Sequence, residues 1–81
     1  MPAQRMLRLN LDAQALPGQS YRIELADARG RQLWQSLSPV RVESESLHTT
    51  VARLVPAGLY WVRLYDPISG QLAREYGLNV R

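Results

Sequence analysis

One stretch decides the fold, because in it a Pro/Gly corner leads into the most aromatic run of the chain: Leu54-Val55-Pro56-Ala57-Gly58-Leu59-Tyr60-Trp61-Val62-Arg63-Leu64-Tyr65-Asp66. Side chains two positions apart share a face along a β-strand, so the residues after the corner divide into two sets. The apolar set predicts a core face: Tyr60, Val62 and Leu64. The other set combines rings with a guanidinium: Leu59, Trp61, Arg63 and Tyr65. It predicts either a half-covered sheet face or a contact surface.

The composition predicts one small folded domain over residues 1–81. The chain is 46% hydrophobic and 21% charged, which is typical of globular domains and not of disordered ones. Cysteine is absent, so packing and backbone pairing must hold the fold without disulfides. All ten basic residues are arginine and the net charge is +3. That charge is modest for a protein that binds nucleic acid.

The compartment depends on whether the chain stands alone. No apolar run approaches the roughly 20 residues that span a bilayer, and residues 1–10 have no signal-peptide core. A chain complete as written is expected to be cytoplasmic. A chain cut from a longer anchored protein is expected to be periplasmic or otherwise extracytoplasmic.

Alternating apolar residues and turn signals predict seven short strands. The predicted strands cover residues 7–12, 20–26, 31–37, 40–45, 47–52, 59–65 and 72–80. Because Pro39 precedes it, the segment at residues 40–45 is predicted as an edge strand or an extended loop. Asp27-Ala28-Arg29-Gly30 and Asp66-Pro67-Ile68-Ser69-Gly70 predict hairpin turns. Strands at this spacing, without an amphipathic helix, predict an antiparallel seven-stranded β-sandwich.

Three details of packing are also predicted. Leu54 is expected to fill the core before the Pro/Gly corner. Adjacent Leu33 and Trp34 are expected to point to opposite faces, with Trp34 partly buried at the sheet rim. The last strand is expected to place Leu72 on one face with Tyr76, Leu78 and Val80, with a bulge near residues 71–74 to accommodate Arg74.

Several motifs resemble those of bacterial immunoglobulin-like modules. They are Tyr21-Arg22-Ile23-Glu24-Leu25-x-Asp27-x-x-Gly30, Leu54-x-Pro56-x-Gly58-x-Tyr60-x-Val62-x-Leu64-Tyr65 and Glu75-Tyr76-x-Leu78-x-Val80. The chain resembles the C-terminal extracytoplasmic β-sandwich of anti-sigma-factor-like membrane proteins that begin with a zinc-binding finger. It is also similar to the C-terminal sorting domains of type IX secretion cargo and to fibronectin III-like modules. The resemblance implies an immunoglobulin-like sandwich, and a tyrosine corner in which the Tyr60 hydroxyl bonds backbone near the Pro/Gly bend. The zinc finger and the membrane helix of those proteins have no counterpart in this sequence.

The residue inventory argues against an enzyme, a metal site and a cofactor. His48 is the only histidine, and Ser46, on the same side of its predicted strand, lacks the orienting carboxylate that a catalytic triad needs. A zinc site would need several converging cysteine or histidine ligands. Glu43, Glu45 and Asp66 do not form a calcium loop of EF-hand type. The isolated glycines offer no phosphate-binding loop, and no cofactor is expected.

A non-catalytic interaction or structural module is therefore the favoured interpretation. The expected contact residues are Leu59, Trp61, Arg63 and Tyr65, flanked by Arg22 and Arg74. Aromatic residues with arginine are typical anchors of protein interfaces. Packing of the same face against the loop at residues 12–19 is an alternative, as is single-stranded nucleic-acid binding on an Arg/aromatic platform. The edge strands at residues 40–45 and 76–80 are further candidates for pairing with a partner or a second copy.

Overall fold

A computed structural model describes residues 4–81 as seven β-strands without a helix. The strands are β1 Gln4–Asp12, β2 Ser20–Asp27, β3 Gln32–Gln35, β4 Val40–Arg41, β5 Ser46–Pro56, β6 Gly58–Tyr65 and β7 Leu72–Val80. The all-β prediction and the number of strands are confirmed. No helix in the described range is long and apolar enough to cross a membrane.

The strands form two antiparallel sheets. β1 and β5 make a two-stranded sheet, while β3, β2, β6 and β7 lie side by side in the order named, with β4 pairing to the far end of β2. β6 therefore has a partner on both sides, with Val62 opposite Leu25 of β2 and Tyr76 of β7. The strand that the opening stretch predicted is thus the centre of the larger sheet.

One hydrophobic cluster takes side chains from both sheets. Its members are Leu9, Leu11, Ala13, Tyr21, Ile23, Leu25, Leu47, Val51, Val55, Tyr60, Val62, Leu64 and Val80. Within β6, Tyr60, Val62 and Leu64 are buried, which confirms the predicted core face. The Tyr60 hydroxyl donates to the Pro56 carbonyl at 2.6 Å, so the bond expected at the Pro/Gly bend is present.

Aspartate-led turns join neighbouring strands of the larger sheet. The Asp27 Oδ1 atom accepts from the backbone amides of Arg29 and Arg31, each at 2.9 Å. Asp66 Oδ1 accepts from the amides of Ile68 and Ser69, each at 2.8 Å. Gly30 and Gly70 complete the turns at φ +85° and +75°, values that L side chains adopt only with strain. Both predicted hairpins are confirmed.

The predicted partial burial of Trp34 is confirmed, but a bulge in β3 overturns the expectation that Leu33 and Trp34 point to opposite faces. Leu25 pairs with Trp34 and Ala26 with Gln32, which leaves Leu33 as the extra residue. An extra residue interrupts the alternation of faces. Leu33 and Trp34 consequently both pack against the core, half-buried.

β3 and β4 are both shorter than predicted, and Ser36 ends the regular ladder of β3. Its amide donates to the Ile23 carbonyl at 2.8 Å, and its buried hydroxyl accepts from the Ile23 amide at 3.1 Å. The segment after β4 closes a tight hairpin, in which Glu43 and Ser46 exchange backbone hydrogen bonds at 2.8 and 2.9 Å. Of the edge segment predicted at residues 40–45, only Val40–Arg41 pairs with β2.

β5 contains a second bulge, and the prediction that Leu54 fills the core is wrong. Met6 pairs with Leu54 and Leu7 with Val51, so Ala52 and Arg53 have no opposite residue. Two extra residues keep the alternation of faces, so Val55 continues the buried set of Leu47 and Val51 at 1% exposure. Leu54 faces outward opposite Met6 and is 55% exposed. The Arg53 guanidinium, within the bulge, donates to the Leu33 carbonyl of β3.

A third bulge lies where the sequence predicted one, but its effect is different. Leu64 pairs with Arg74 and Tyr65 with Leu72, which leaves Ala73 extra. Leu72 therefore lies on the face of Tyr65, 53% exposed, and not with Tyr76. Arg74 lies on the inner face, opposite Leu64, so the prediction that it flanks the contact residues is wrong.

Candidate functional site

The candidate site is the outer face of the five-stranded sheet, meaning the side of β2, β6 and β7 that points away from the core. Residues directly opposite one another in a sheet share a face, so the register identifies its members. They are Arg22, Glu24, Ala26, Leu59, Trp61, Arg63, Tyr65, Leu72, Glu75, Gly77 and Asn79. Five of the six predicted contact residues therefore lie together, and Arg74 does not lie with them.

A row of three charges crosses the middle of the outer face. Arg63 lies between Glu24 and Glu75. Its Nη1 atom is 3.2 Å from Glu24 Oε1, and its Nε atom is 2.7 Å from Glu75 Oε2. The bonds to Glu75 and Glu24 raise the pKa of Arg63 above its ordinary value, against an opposing effect of partial burial. A phosphate would have to compete with two carboxylates for this guanidinium, so the centre of the face is poorly suited to nucleic acid.

Tyr65 extends this row toward one end of the sheet. Its hydroxyl donates to Glu24 Oε1 at 3.1 Å. Partial burial, and then the bond to Glu24, raise the pKa of Tyr65. Arg22 lies opposite Tyr65 on β2 and is half-buried. The polar groups in this half of the face are thus largely satisfied within the sheet.

Trp61 dominates the other half of the face. Its neighbours across the sheet are the two small residues Ala26 and Gly77. A Cβ atom on Gly77 would lie 3.8 Å from Trp61 Cζ3, so the indole extends over the glycine at van der Waals distance. Trp61 nevertheless remains 40% exposed, and Leu59 beside it is 64% exposed. This end of the face is the apolar part that the protein leaves uncovered.

Two shallow depressions adjoin at Leu59. The first has a volume of about 430 Å³ and is lined chiefly by Ala28, Leu59, Trp61, Gly77 and Asn79. The second, of about 280 Å³, is lined by Ala28, Leu59, Arg29 and Arg31, among others. They share Ala28, Leu59 and Tyr60, and we call them together the Leu59 trough.

The sequence pattern does not identify the turn residues of the trough as part of a contact surface. Ala28, Arg29 and Arg31 indicate only a hairpin at the local level. Asp27 pairs with Tyr60 across β2 and β6, which places this turn next to Leu59. That neighbour relation depends on strand order, and the local sequence carries no signal for it.

Arg74 and Tyr76 lie on the opposite side of the sheet, which faces the core. Arg74 Nη1 donates to the Asp12 carbonyl at 3.2 Å, and the Tyr76 hydroxyl donates to the same oxygen. Burial raises the pKa of Tyr76. These contacts join the start of β7 to the end of β1, so Arg74 is a structural residue.

The loop between β1 and β2 does not cover Trp61. Ala13 is buried in the core, and its amide donates to the Glu45 carbonyl at 2.8 Å. The Gly18 amide donates to the Tyr21 hydroxyl at 2.6 Å, on the core side of β2. The alternative in which this loop packs on the outer face is therefore wrong.

The other candidate residues of the sequence do not converge. His48 is exposed on β5 opposite Asn10. Among the described residues, no three His, Cys, Asp or Glu side chains form a group that could hold a metal ion. The Asp66 carboxylate, a candidate calcium ligand, accepts hydrogen bonds from backbone amides of its own turn.

Comparison with protein-family models, curated proteins and solved structures finds no match. The chemistry of the outer face consists of an apolar trough, lined in part by the Trp61 ring, beside a row in which Arg63 is paired with Glu24 and Glu75.

Proposed function

We propose that this chain is a non-catalytic protein-interaction module whose contact surface is the outer face around Leu59 and Trp61. The observation that carries the proposal is the exposure of these two side chains, 64% and 40%, on a sheet face whose central charges, Glu24, Arg63 and Glu75, are already paired. Large apolar side chains placed side by side on a small domain are typical of a contact surface. Tryptophan with arginine nearby is also the composition of interface anchors.

We further propose that the two sheets form an immunoglobulin-like β-sandwich. Its support is that antiparallel sheets of two and five strands contribute to one buried cluster. The bond from the Tyr60 hydroxyl to the Pro56 carbonyl has the character of a tyrosine corner. In such a sandwich, the outer face would be a solvent-facing side of the larger sheet, accessible to a partner.

A photo-crosslinking experiment tests the interaction proposal. A photoreactive amino acid replaces Leu59 in the chain expressed in cells of its source organism, and crosslinked products are identified by mass spectrometry. The control position is Ile68, which is 97% exposed in the turn between β6 and β7. We expect one saturable protein adduct from position 59 and none from position 68. We also expect Trp61→Ser, introduced beside the crosslinker, to remove that adduct.

Two outcomes would contradict the proposal, and a third would specify the partner as a second copy of the chain. Equal adducts from both positions would mean that exposure alone governs the reaction. Adducts with nucleic acid would favour the alternative function. An adduct with a second copy of this chain would support the same surface as a self-association site.

The resemblance to anti-sigma-factor-like proteins leads to a proposal about location, namely the outer side of a bacterial envelope as part of a larger protein. Its test is an immunoblot of fractionated cells with an antibody against this domain. A band far above 9.2 kDa in the envelope fraction is expected. A soluble band at 9.2 kDa would contradict this proposal and would leave the interaction surface to be explained in the cytoplasm.

A further inference from the structure

We infer that the Leu59 trough binds an extended acidic peptide segment, with one bulky apolar side chain between Leu59, Trp61 and Gly77 and carboxylates over Arg29 and Arg31. The inference rests on the proposed function and names the class of partner for the same surface. It follows from the adjacency of an apolar depression and an arginine-lined one, which share Ala28 and Leu59.

The apolar half of the trough has room for one side chain because small residues lie around Trp61. Gly77 has no side chain, and Ala28 contributes only a methyl group. The indole and Leu59 remain as the large apolar contacts, so a leucine-sized group entering here would be desolvated on two sides. Removing the apolar surface of such a group from water favours binding.

The charged half of the trough carries guanidinium groups that the fold does not use. Within the described part of the chain, the ion pairs are those of Arg63 with Glu24 and Glu75, so Arg29 and Arg31 make none. Asp27 is the acidic residue at this end, and its Oδ1 atom already accepts from two backbone amides of the turn. Two exposed arginines against one engaged carboxylate leave this end positive. Arginine binds carboxylates in a planar, bidentate manner.

A peptide fits this pattern better than a nucleic-acid strand does. A strand stacking on Trp61 and continuing along the sheet would pass Glu24 and Glu75, which lie two residues from Ala26 and Gly77 on the same face. Two residues along a strand correspond to roughly 7 Å. Those carboxylates would repel a phosphodiester backbone. A short acidic segment, in contrast, needs only the end of the face near Leu59.

The test is an NMR titration of the isotope-labelled full chain with short synthetic peptides. Each peptide has a central leucine, flanked by glutamate, by glutamine or by lysine. We expect the glutamate peptide to shift the Trp61 indole and Gly77 amide signals, with an affinity about tenfold above that of the glutamine peptide, since exposed ion pairs contribute modestly. The lysine peptide should bind most weakly. Raising the salt concentration should reduce the difference.

Reversing the charges of the two turn arginines tests whether they cause the preference for the glutamate peptide. In Arg29→Glu/Arg31→Glu the preference should invert toward the lysine peptide. The matched control is Arg8→Glu/Arg41→Glu, which makes the same change in net charge at exposed positions on β1 and β4. It should retain the preference for the glutamate peptide.

The outcomes separate this inference from the proposed function. Equal binding of the glutamate and glutamine peptides, abolished by Trp61→Ser, would overturn the acidic-partner inference and leave the interaction surface standing. Absence of shifts with every peptide would also overturn it, and the crosslinking experiment would then decide the proposed function alone. Displacement of the peptide by an oligothymidine probe, with a steep salt dependence, would overturn it in favour of nucleic acid.

Discussion

Gly18 and Gly77 both lack a side chain, but the absence has a different structural consequence at each position. A Cβ atom on Gly18 would lie 2.7 Å from the Tyr21 hydroxyl oxygen, below any normal contact. Tyr21 is 2% exposed, so its ring cannot move aside freely. A Cβ atom on Gly77 would make an ordinary contact with Trp61. The first glycine is required by packing, whereas the second leaves space beside an exposed indole.

We predict that Gly18→Ala lowers the free energy of unfolding by about 1–3 kcal/mol, because the methyl group would displace the Tyr21 hydroxyl and its bond to the residue 18 amide. Gly77→Ala is the control and should change stability by less than about 1 kcal/mol, with a gain expected from the lower entropy of the unfolded chain. Urea unfolding of both variants measures the difference. Equal losses would show that the space at Gly18 is not the cause.

At the scale of elements, the residues in each turn determine how well the hairpins of this protein are stabilised. Two hairpins have turn residues that suit their backbone conformation, and one does not. Asp27 and Asp66 each organise a turn that ends in a glycine with positive φ. The hairpin between β4 and β5 instead places Ser44 at φ 50° and Glu45 at φ 64°. Positive φ at both central residues is the requirement of a type I′ turn, which Asn-Gly meets best.

We predict that Ser44→Asn/Glu45→Gly raises the free energy of unfolding by about 1 kcal/mol, because it relieves left-handed strain at two positions. Chemical denaturation of this variant and of the unaltered chain measures the change. The control is Glu43→Gln, which lies outside the central pair and should change stability by less than about 0.5 kcal/mol. A loss of stability in the double variant would contradict the turn assignment.

The aspartate turns also predict how stability depends on pH. Bonds from the backbone amides of Arg31 and Arg29 lower the pKa of Asp27, and those of Ser69 and Ile68 lower the pKa of Asp66. A carboxyl whose pKa is lower in the folded state than its ordinary 3.8 stabilises the fold above that value. This contribution is lost as the pH falls through the folded-state pKa.

We therefore expect the unfolding temperature to decline as the pH is lowered below about 4. Asp27→Asn/Asp66→Asn keeps an oxygen acceptor in each turn but removes the titration, so the decline should be shallower. Thermal unfolding followed by circular dichroism across this range measures both slopes. Identical slopes would mean that other carboxyls control the acid transition.

At the scale of the whole molecule, the two sheets depend on one another. The described chain measures 41 × 24 × 21 Å, and the two-stranded sheet contributes Leu47, Val51 and Val55 to the common cluster. A two-stranded sheet is marginal on its own in water. Its burial against the larger sheet makes unfolding of one part costly for the other.

We predict that Leu47→Ala lowers the free energy of unfolding by about 2–5 kcal/mol and reduces hydrogen-exchange protection in β2 and β6 as much as in β1 and β5. Leu37, which is fully exposed, provides the control: Leu37→Ala should cost less than about 0.5 kcal/mol. Loss of protection confined to β1 and β5 would indicate that the sheets unfold separately.

The sequence alone determined the features that depend on neighbours along the chain. The alternation of Tyr60, Val62 and Leu64 with Leu59, Trp61, Arg63 and Tyr65 correctly separated the two faces of β6. The two hairpin turns that begin with aspartate and end in glycine were also correctly predicted. These features follow from the two-residue period of a strand and from the few residue types that a tight turn accepts.

The tertiary structure alone decided the features that depend on register and strand order. The bulge on β3 brings both Leu33 and Trp34 against the core, and the bulge on β7 moves Leu72 to the outer face, because one extra residue moves every side chain beyond it to the other face. The Leu59 trough brings together residues from β6, β7 and the β2–β3 turn. No local sequence pattern predicts that these residues lie close together, because their proximity arises from the order in which distant strands pair.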